Sequence, residues 1–464
     1  MRRSSNQSRI VGVVVAALVL SGCAADGPAW LGGSSGDEAA GSRGDDSISL
    51  AISRTSANVA AGFRPAVAEA ALDNPAVRAA QQEILGAGFD IEAARGALAP
   101  QVSGSLYAGL TDEANQDPET GAAARLNISK VVYDGGEISA SVRQARAQQQ
   151  IAYEDYRNEL NDALFEGAAA WIALWEAERR YALIQERLRV VRPLFSQVEQ
   201  VAQSGVSDIT VVTAAQRVVN DIRAAENAAR DQRRQAQTAF RRVFGTVPGS
   251  VAFDSDFLGA NLPRHVGEDH ILTTPEVVSA FLQYQAALAR LDVAEARGGT
   301  RVDLQANIDE PLDAEEEGDT TAGLVVSRTF FDGGTNRARI NSAAAAVAQA
   351  RDGLQAAYRN QGRQVMALRE SLDAISSQIE LARESREIAR EEVDLLRRQL
   401  AIGQSSLENV LQAEVRLYDA ENTIILRTAE RASLRMELGS ALGKLPAGFG
   451  LREADVLDRL AAGR

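Results

Sequence analysis

The chain has 464 residues with Lys+Arg 49 against Asp+Glu 63, a net charge of −14, and no basic stripe, which argues against a nucleic-acid partner. Aromatic residues make up only 5% and there are 11 prolines, so long helices and coiled coils suit the composition better than a series of compact catalytic domains. No HExxH, P-loop, Gly-x-Gly-x-x-Gly after a strand, or nucleophile elbow occurs, so neither an enzyme nor a cofactor is expected.

Residues 1–22 read as a signal peptide. Arg2, Arg3 and Arg9 form its charged start, and Ile10 to Leu20 form an apolar stretch too short to span a bilayer as a helix. The only cysteine follows at once, in Leu20-Ser21-Gly22-Cys23. That tetrapeptide resembles a bacterial lipobox, which implies cleavage before Cys23 and its lipidation. A lone cysteine forms no intrachain disulfide. Residues 23–64, rich in Gly, Ser, Ala and Asp, read as a flexible leader.

A helical pattern begins near Pro65 and restarts at Asn74-Pro75, a cap followed by proline at the first helical position. Beyond Pro100 the period changes to 2. Val102, Gly104, Leu106, Ala108 and Leu110 alternate with Ser103, Ser105, Tyr107 and Gly109. After a polar loop, Leu126, Ile128 and Val132 oppose Arg125, Asn127 and Ser129, so 101–133 reads as a β-hairpin. Asp134-Gly135-Gly136 then switches strand to helix. Asp caps the first helical N–H groups, and glycines reach positive φ without steric cost.

Residues 137–203 contain no convincing breaker, which gives a helix of about 100 Å at ~1.5 Å per residue. Ile184, Leu188, Val191, Phe195, Val198 and Ala202 form a heptad seam, interrupted by Pro193. Trp171 and Trp175 mark a wider packed region midway. Gly205, Ser207 and Asp208 form a tight turn into a return helix, 207–244.

Residues 251–273 read as a linker, after which 274–446 repeat 65–250. Thr274-Pro275 restarts a helix, 301–331 forms a second hairpin, and Asp332-Gly333-Gly334 repeats the turn. A long helix covers 336–402, Gly403, Ser405 and Ser406 form the far turn, and 406–442 returns. Asp134 to Asp332, Gly205 to Gly403 and Pro248 to Pro446 are all offset by 198. Residues 447–464 form a C-terminal tail. Within each half the two shorter helices, laid end to end, match the long one, giving a rod with a hairpin at one end and a bare turn at the other.

Four strands cannot enclose a channel, and lipid does not tolerate open sheet edges, so closure needs several chains. Tyr107, Tyr133, Phe330 and Phe331 lie at or near strand ends, where they would serve as interfacial aromatics or as packing at the strand-to-helix junction. Lys130 and Arg328 interrupt the apolar faces of their strands, which snorkelling near headgroups would permit.

The lipobox, duplicated helix starts, hairpins, Asp-Gly-Gly turns and far glycine turns together resemble the TolC family of outer-membrane channels, over residues 65–446. The resemblance implies a mainly α fold with a β-barrel part. It implies a homotrimer with a twelve-stranded barrel in outer-membrane lipid, continuous with a periplasmic α-helical barrel. It implies a passive exit duct for efflux or type I secretion, worked by an inner-membrane pump of ABC or RND type through a periplasmic adaptor. Gly205, Ser207, Asp208, Gly403, Ser405 and Ser406 correspond to adaptor-docking tips. The family's gate aspartates fall here on Asn409 and Gln412, with Glu408 and Glu414 close but turned differently, so a polar gate replaces a carboxylate ring. The competing reading is a lipid-anchored periplasmic coiled-coil scaffold whose hairpins pack only on helices. No metal is expected, since His265 and His270 lie in the linker without further ligands.

Overall fold

A computed structural model describes residues 57–111, 119–203, 209–259, 262–263, 265–312 and 318–451. The signal peptide, Cys23, the tip residues Gly205, Ser207 and Asp208, and the tail beyond 451 lie outside the described residues.

The helices are α1 (Phe63–Leu72), α2 (Pro75–Gly96), α3 (Glu137–Gln203), α4 (Ile209–Phe244), α5 (Glu268–Leu272), α6 (Pro275–Ala296), α7 (Thr335–Ala401), α8 (Leu407–Ala441) and α9 (Leu445–Gly448). The strands are β1 (Gln101–Thr111), β2 (Glu119–Tyr133), β3 (Arg301–Pro311) and β4 (Asp319–Ser327). The two long helices, α3 and α7, each contain 67 residues, and α3 runs through Pro193 without ending. In each half the shorter helices pack along the long one: α2 and α4 on α3, α6 and α8 on α7. The rods are joined by α6 and α8 packing on α3.

The main core lies midway along the rods. Trp171 is buried at its centre, with Phe63, Phe240 and Phe244 at ring-centroid distances of 5.6, 5.3 and 5.7 Å. Phe257 and Phe449 close it from the connecting loop and the C-terminal side. Three sequence expectations change here. Residues 57–64 do not belong to a loose leader, because Val59 and Phe63 are buried in this core. The stretch after α4 is more than a linker. Phe253, Phe257 and Leu258 pack into the core, and the Trp171 indole N–H donates to Ala252 O at 3.0 Å. The expected tail begins inside the fold, since Phe449 is buried.

A smaller core lies further along α3, where Ile184, Leu188 and Val191 meet Val219, Ile222 and Ala229 of α4 and Leu411 of α8. These α3 residues are half of the heptad seam. Phe195 packs at its edge, and the side chains of Val198 and Ala202 lie outside the described residues.

The four strands form one antiparallel sheet in the order β1-β2-β3-β4. The sequence predicts a second hairpin that reaches 331, but β4 ends at Ser327, where it pairs with Arg301, the first residue of β3. Among the described residues, no strand lies opposite 328–331. Arg328 is therefore not a strand residue. By contrast β2 reaches Tyr133, because a bulge at Val132 keeps it paired to Val302.

Candidate functional site

Two places carry the functional argument: the sheet, and the coiled-coil end beyond the small core.

The pairing register sorts the sheet into two faces, since paired residues share a side. Val102, Leu106, Leu126, Ile128, Leu304, Ile308, Leu324 and Val326 fall on one face. Ser103, Ser105, Arg125, Asn127, Gln305, Asn307 and Asp309 fall on the other. On the polar face Arg125 Nε pairs with Asp309 at 2.6 Å, and the Asn127 amide donates to Asn307. The apolar face is uncovered: Leu106 is 76% exposed and Val326 67%. Leu324 is likewise exposed. The hairpins do not pack on helices, contrary to the scaffold expectation. Among the described residues, β1 and β4 each have an edge without a partner strand.

Of the aromatics, Tyr107 lies on the polar face, with its ring over Gly109. Tyr133 lies opposite Val302 on the apolar face. Phe330 and Phe331 are almost fully exposed, so they do not pack at the junction within the chain. Lys130 sits opposite Leu304 on the apolar face, near the helical end of β2.

The two Asp-Gly-Gly turns share one geometry. Asp134 Oδ1 accepts from Gly136 N at 2.9 Å and Oδ2 from Ile138 N at 2.6 Å. Asp332 accepts from Gly334 N and Asn336 N at the same distances. Those backbone donors, Asn336 first, hold the Asp332 carboxyl below its ordinary value. Gly135, Gly136, Gly333 and Gly334 all have φ between 65 and 92°, which L side chains rarely adopt.

At the opposite end, Gly403 is left-handed (φ 73°) and Gln404 N donates to Gln399 O at 2.8 Å, closing α7 as a Schellman motif. Ser406 Oγ accepts from Asn409 N at 3.2 Å and caps α8. The Asn409 amide reaches back to Ser405 Oγ at 3.5 Å, and Gln412 donates to Glu408 at 3.2 Å. The structure thus draws Ser405, Ser406 and Asn409 into one cap, while Glu408 and Gln412 pair along α8.

Behind them lies a cluster that the sequence reading missed. Glu414, on α8, is 1% exposed and its carboxylate takes both Arg187 of α3 and Arg397 of α7. Arg187 is itself buried, its guanidinium lying 5.9 Å from the Tyr418 ring centroid. Burial pushes the Arg187 guanidinium below its ordinary range. The node ties three helices from both halves together. A signal for it existed: Arg187 lies between Ile184 and Leu188 of the seam, and Glu414 lies beside the apolar Val410, Leu411 and Ala413. Opposite charges beside the apolar seams of different helices imply a buried pair.

Among the described residues no cluster of side chains suited to a metal ion occurs. The His270 Nδ1 accepts from Gly267 N at 3.3 Å in the loop. No described helix is long and apolar enough to cross a membrane.

The outer membrane efflux protein family model matches residues 66–246 and 268–444, once for each rod. The chain belongs to this family. It is 20% identical over 352 residues to the outer membrane efflux protein BepC of Brucella suis, covering 73% of this chain and 77% of that protein. It is 22% identical over 387 residues to the outer membrane protein TolC of Vibrio cholerae, covering 79% and 86%. The CmeC outer membrane channel of Campylobacter jejuni shares the fold with a TM-score of 0.73 at 15% identity, covering 88% of this chain and 92% of that one. The efflux protein described here is therefore an outer-membrane channel protein, with its sheet at the membrane and its helices extending into the periplasm.

Proposed function

We propose that three copies close their sheets edge to edge, β4 of one against β1 of the next, into a twelve-stranded barrel that forms a passive exit duct. The observation that carries this reading is the two-faced sheet with an unpaired edge on each side. Unpaired backbone groups are costly in lipid, and closure among copies removes them. The apolar face then meets lipid, and the Arg125–Asp309 face lines water. The Asp-Gly-Gly turns at Asp134 and Asp332 are the membrane–periplasm junctions.

The gate lies at the far end of the helices. Asn409, Gln412 and Glu408 line or flank it, and the Arg187–Glu414–Arg397 node holds the closed packing of α3, α7 and α8. A periplasmic adaptor docks on the turns at Gly205, Ser207 and Asp208 and at Gly403, Ser405 and Ser406. It binds the open arrangement more tightly and shifts the population towards it. Energy comes from an inner-membrane pump, since the chain carries no energy-coupling motif. Lipid on Cys23 anchors the leader. The cargo is either small toxic compounds or a secreted protein. A deletion strain scored for both drug sensitivity and lost secreted proteins decides between them.

The closure is tested by pairing cysteines introduced along β1 and β4. Because Cys23 is the only native cysteine and lipid occupies its sulfur, the introduced pairs supply the only thiols. Covalent trimers on oxidation are expected. Monomers at every register, from protein that is folded and membrane-bound, would overturn the reading.

A further inference from the structure

A groove of about 400 Å³ runs over α3 between α4 and α8. Its wall is mainly aliphatic: Ile184, Val218, Ile222, Ala225 and Val415 line it. That volume falls within the range of small-molecule sites, which pair apolar walls with a few placed polar groups.

The polar group here is Arg187, which also lines the groove. Its Nη1 faces Glu414, but Nε and Nη2 have no hydrogen-bond partner although both are buried. Nε and Nη2 form one edge of the guanidinium, the edge that matches a carboxylate with two parallel N–H···O bonds. Leaving buried donors without acceptors is costly, more so on a charged group. Both nitrogens are shielded from solvent. Tyr418 overlies the guanidinium and is half-buried, so it is the side chain that must turn aside to admit a guest.

Other charges border the groove. Asp221, Asp419 and Arg416 are exposed, and Arg416 is paired with Glu392 at 2.5 Å. Exposed charges are screened by water and salt, whereas the guanidinium edge is not. The two rim aspartates weaken an anion's binding without cancelling the buried edge. The aliphatic wall supplies the remaining attraction, through apolar area removed from water.

We propose that this groove binds an aliphatic monocarboxylate. The carboxylate docks on the Nε–Nη2 edge of Arg187 and the hydrocarbon chain lies along α3. The guest touches α3, α4 and α8 together, so it bridges the two halves of the chain.

The test is calorimetric titration of octanoate into the full-length protein in an uncharged maltoside, with octan-1-ol as the control lacking the charge. Saturable octanoate binding is expected, with octanol weaker by about tenfold or more, the scale of a charge-assisted hydrogen-bond pair. Arg187→Gln is expected to abolish the difference between the two probes. Because that change also disturbs Glu414, Ala225→Phe serves as a second variant, filling the groove while leaving the ion pairs in place, and should remove binding of both probes. Asp419→Asn should tighten octanoate several-fold and leave octanol unchanged. No saturable binding, equal binding of octanoate and octanol, or octanoate binding that survives Ala225→Phe would each overturn the proposal.

Discussion

Replacing Glu414 with Gln isolates the buried ionic node. The side chain keeps its shape, but Arg187 loses its counter-charge while remaining buried. Removing one partner of a buried pair costs about 3–5 kcal/mol, because the other charge stays desolvated. Arg397 is 46% exposed at its side chain, so water relieves it and its share is small. The cost therefore falls on the contact between α3 and α8. If half of ~3 kcal/mol is specific to the closed arrangement, the closed-to-open ratio falls about tenfold, at ~1.4 kcal/mol per factor of ten. The assay is single-channel recording of the purified protein in planar bilayers without adaptor, backed by uptake of a large antibiotic in cells. Glu414→Gln should raise open probability by about tenfold, and Arg397→Gln should change it by less than about threefold, as suits a half-exposed pair. Unchanged opening in a folded Glu414→Gln protein would refute the reasoning. So would an Arg397→Gln protein that opens equally well.

Leu106→Arg places a cation on the apolar face at the middle of β1 and should cost about 2–4 kcal/mol, seen as lost assembly. Gln305→Arg, on the polar face, should assemble normally and shift ion selectivity. Asp332 is held below its ordinary carboxyl value, so its contribution is complete above that value and is lost as pH falls through the lowered one. Protection of the Gly334 and Asn336 amides, relative to their intrinsic exchange rates, should fall in that acid window, and Asp332→Ala should lack this protection at all pH values. Gly443→Ala should lower the melting temperature, because φ is 64° and a Cβ would meet Pro275 Cγ at 2.8 Å.

Much of the fold was legible because it is written twice. The period-2 runs after Pro100 and before Asp332 were visible as strands, and Asp134 and Asp332 announced caps that the structure forms with paired backbone bonds. Gly403 and Ser406 likewise announced the far turn. The end of β4 was not legible. Phe330 and Phe331 look like strand residues, but strand length depends on where the partner β3 begins. The packing of the connecting loop is hidden for the same kind of reason. Phe253 and Phe257 sit among turn residues without periodicity, and their burial depends on Trp171 and Phe63, far away in sequence. The candidate gate was placed by register on Asn409 and Gln412, and the structure engages both locally. The sequence places Glu414 close to the gate but turned differently from Asn409 and Gln412. Its partners come from α3 and α7, and only the assembled rods reveal them.

The central claim is that the two-faced sheet becomes a water-filled barrel. Conductance of the purified, full-length protein in planar bilayers tests it most directly. Discrete steps of uniform size are predicted, with ion selectivity altered by Arg125→Glu on the polar face. Folded, membrane-inserted protein that carries no current, in both the native and the Glu414→Gln forms, would contradict it.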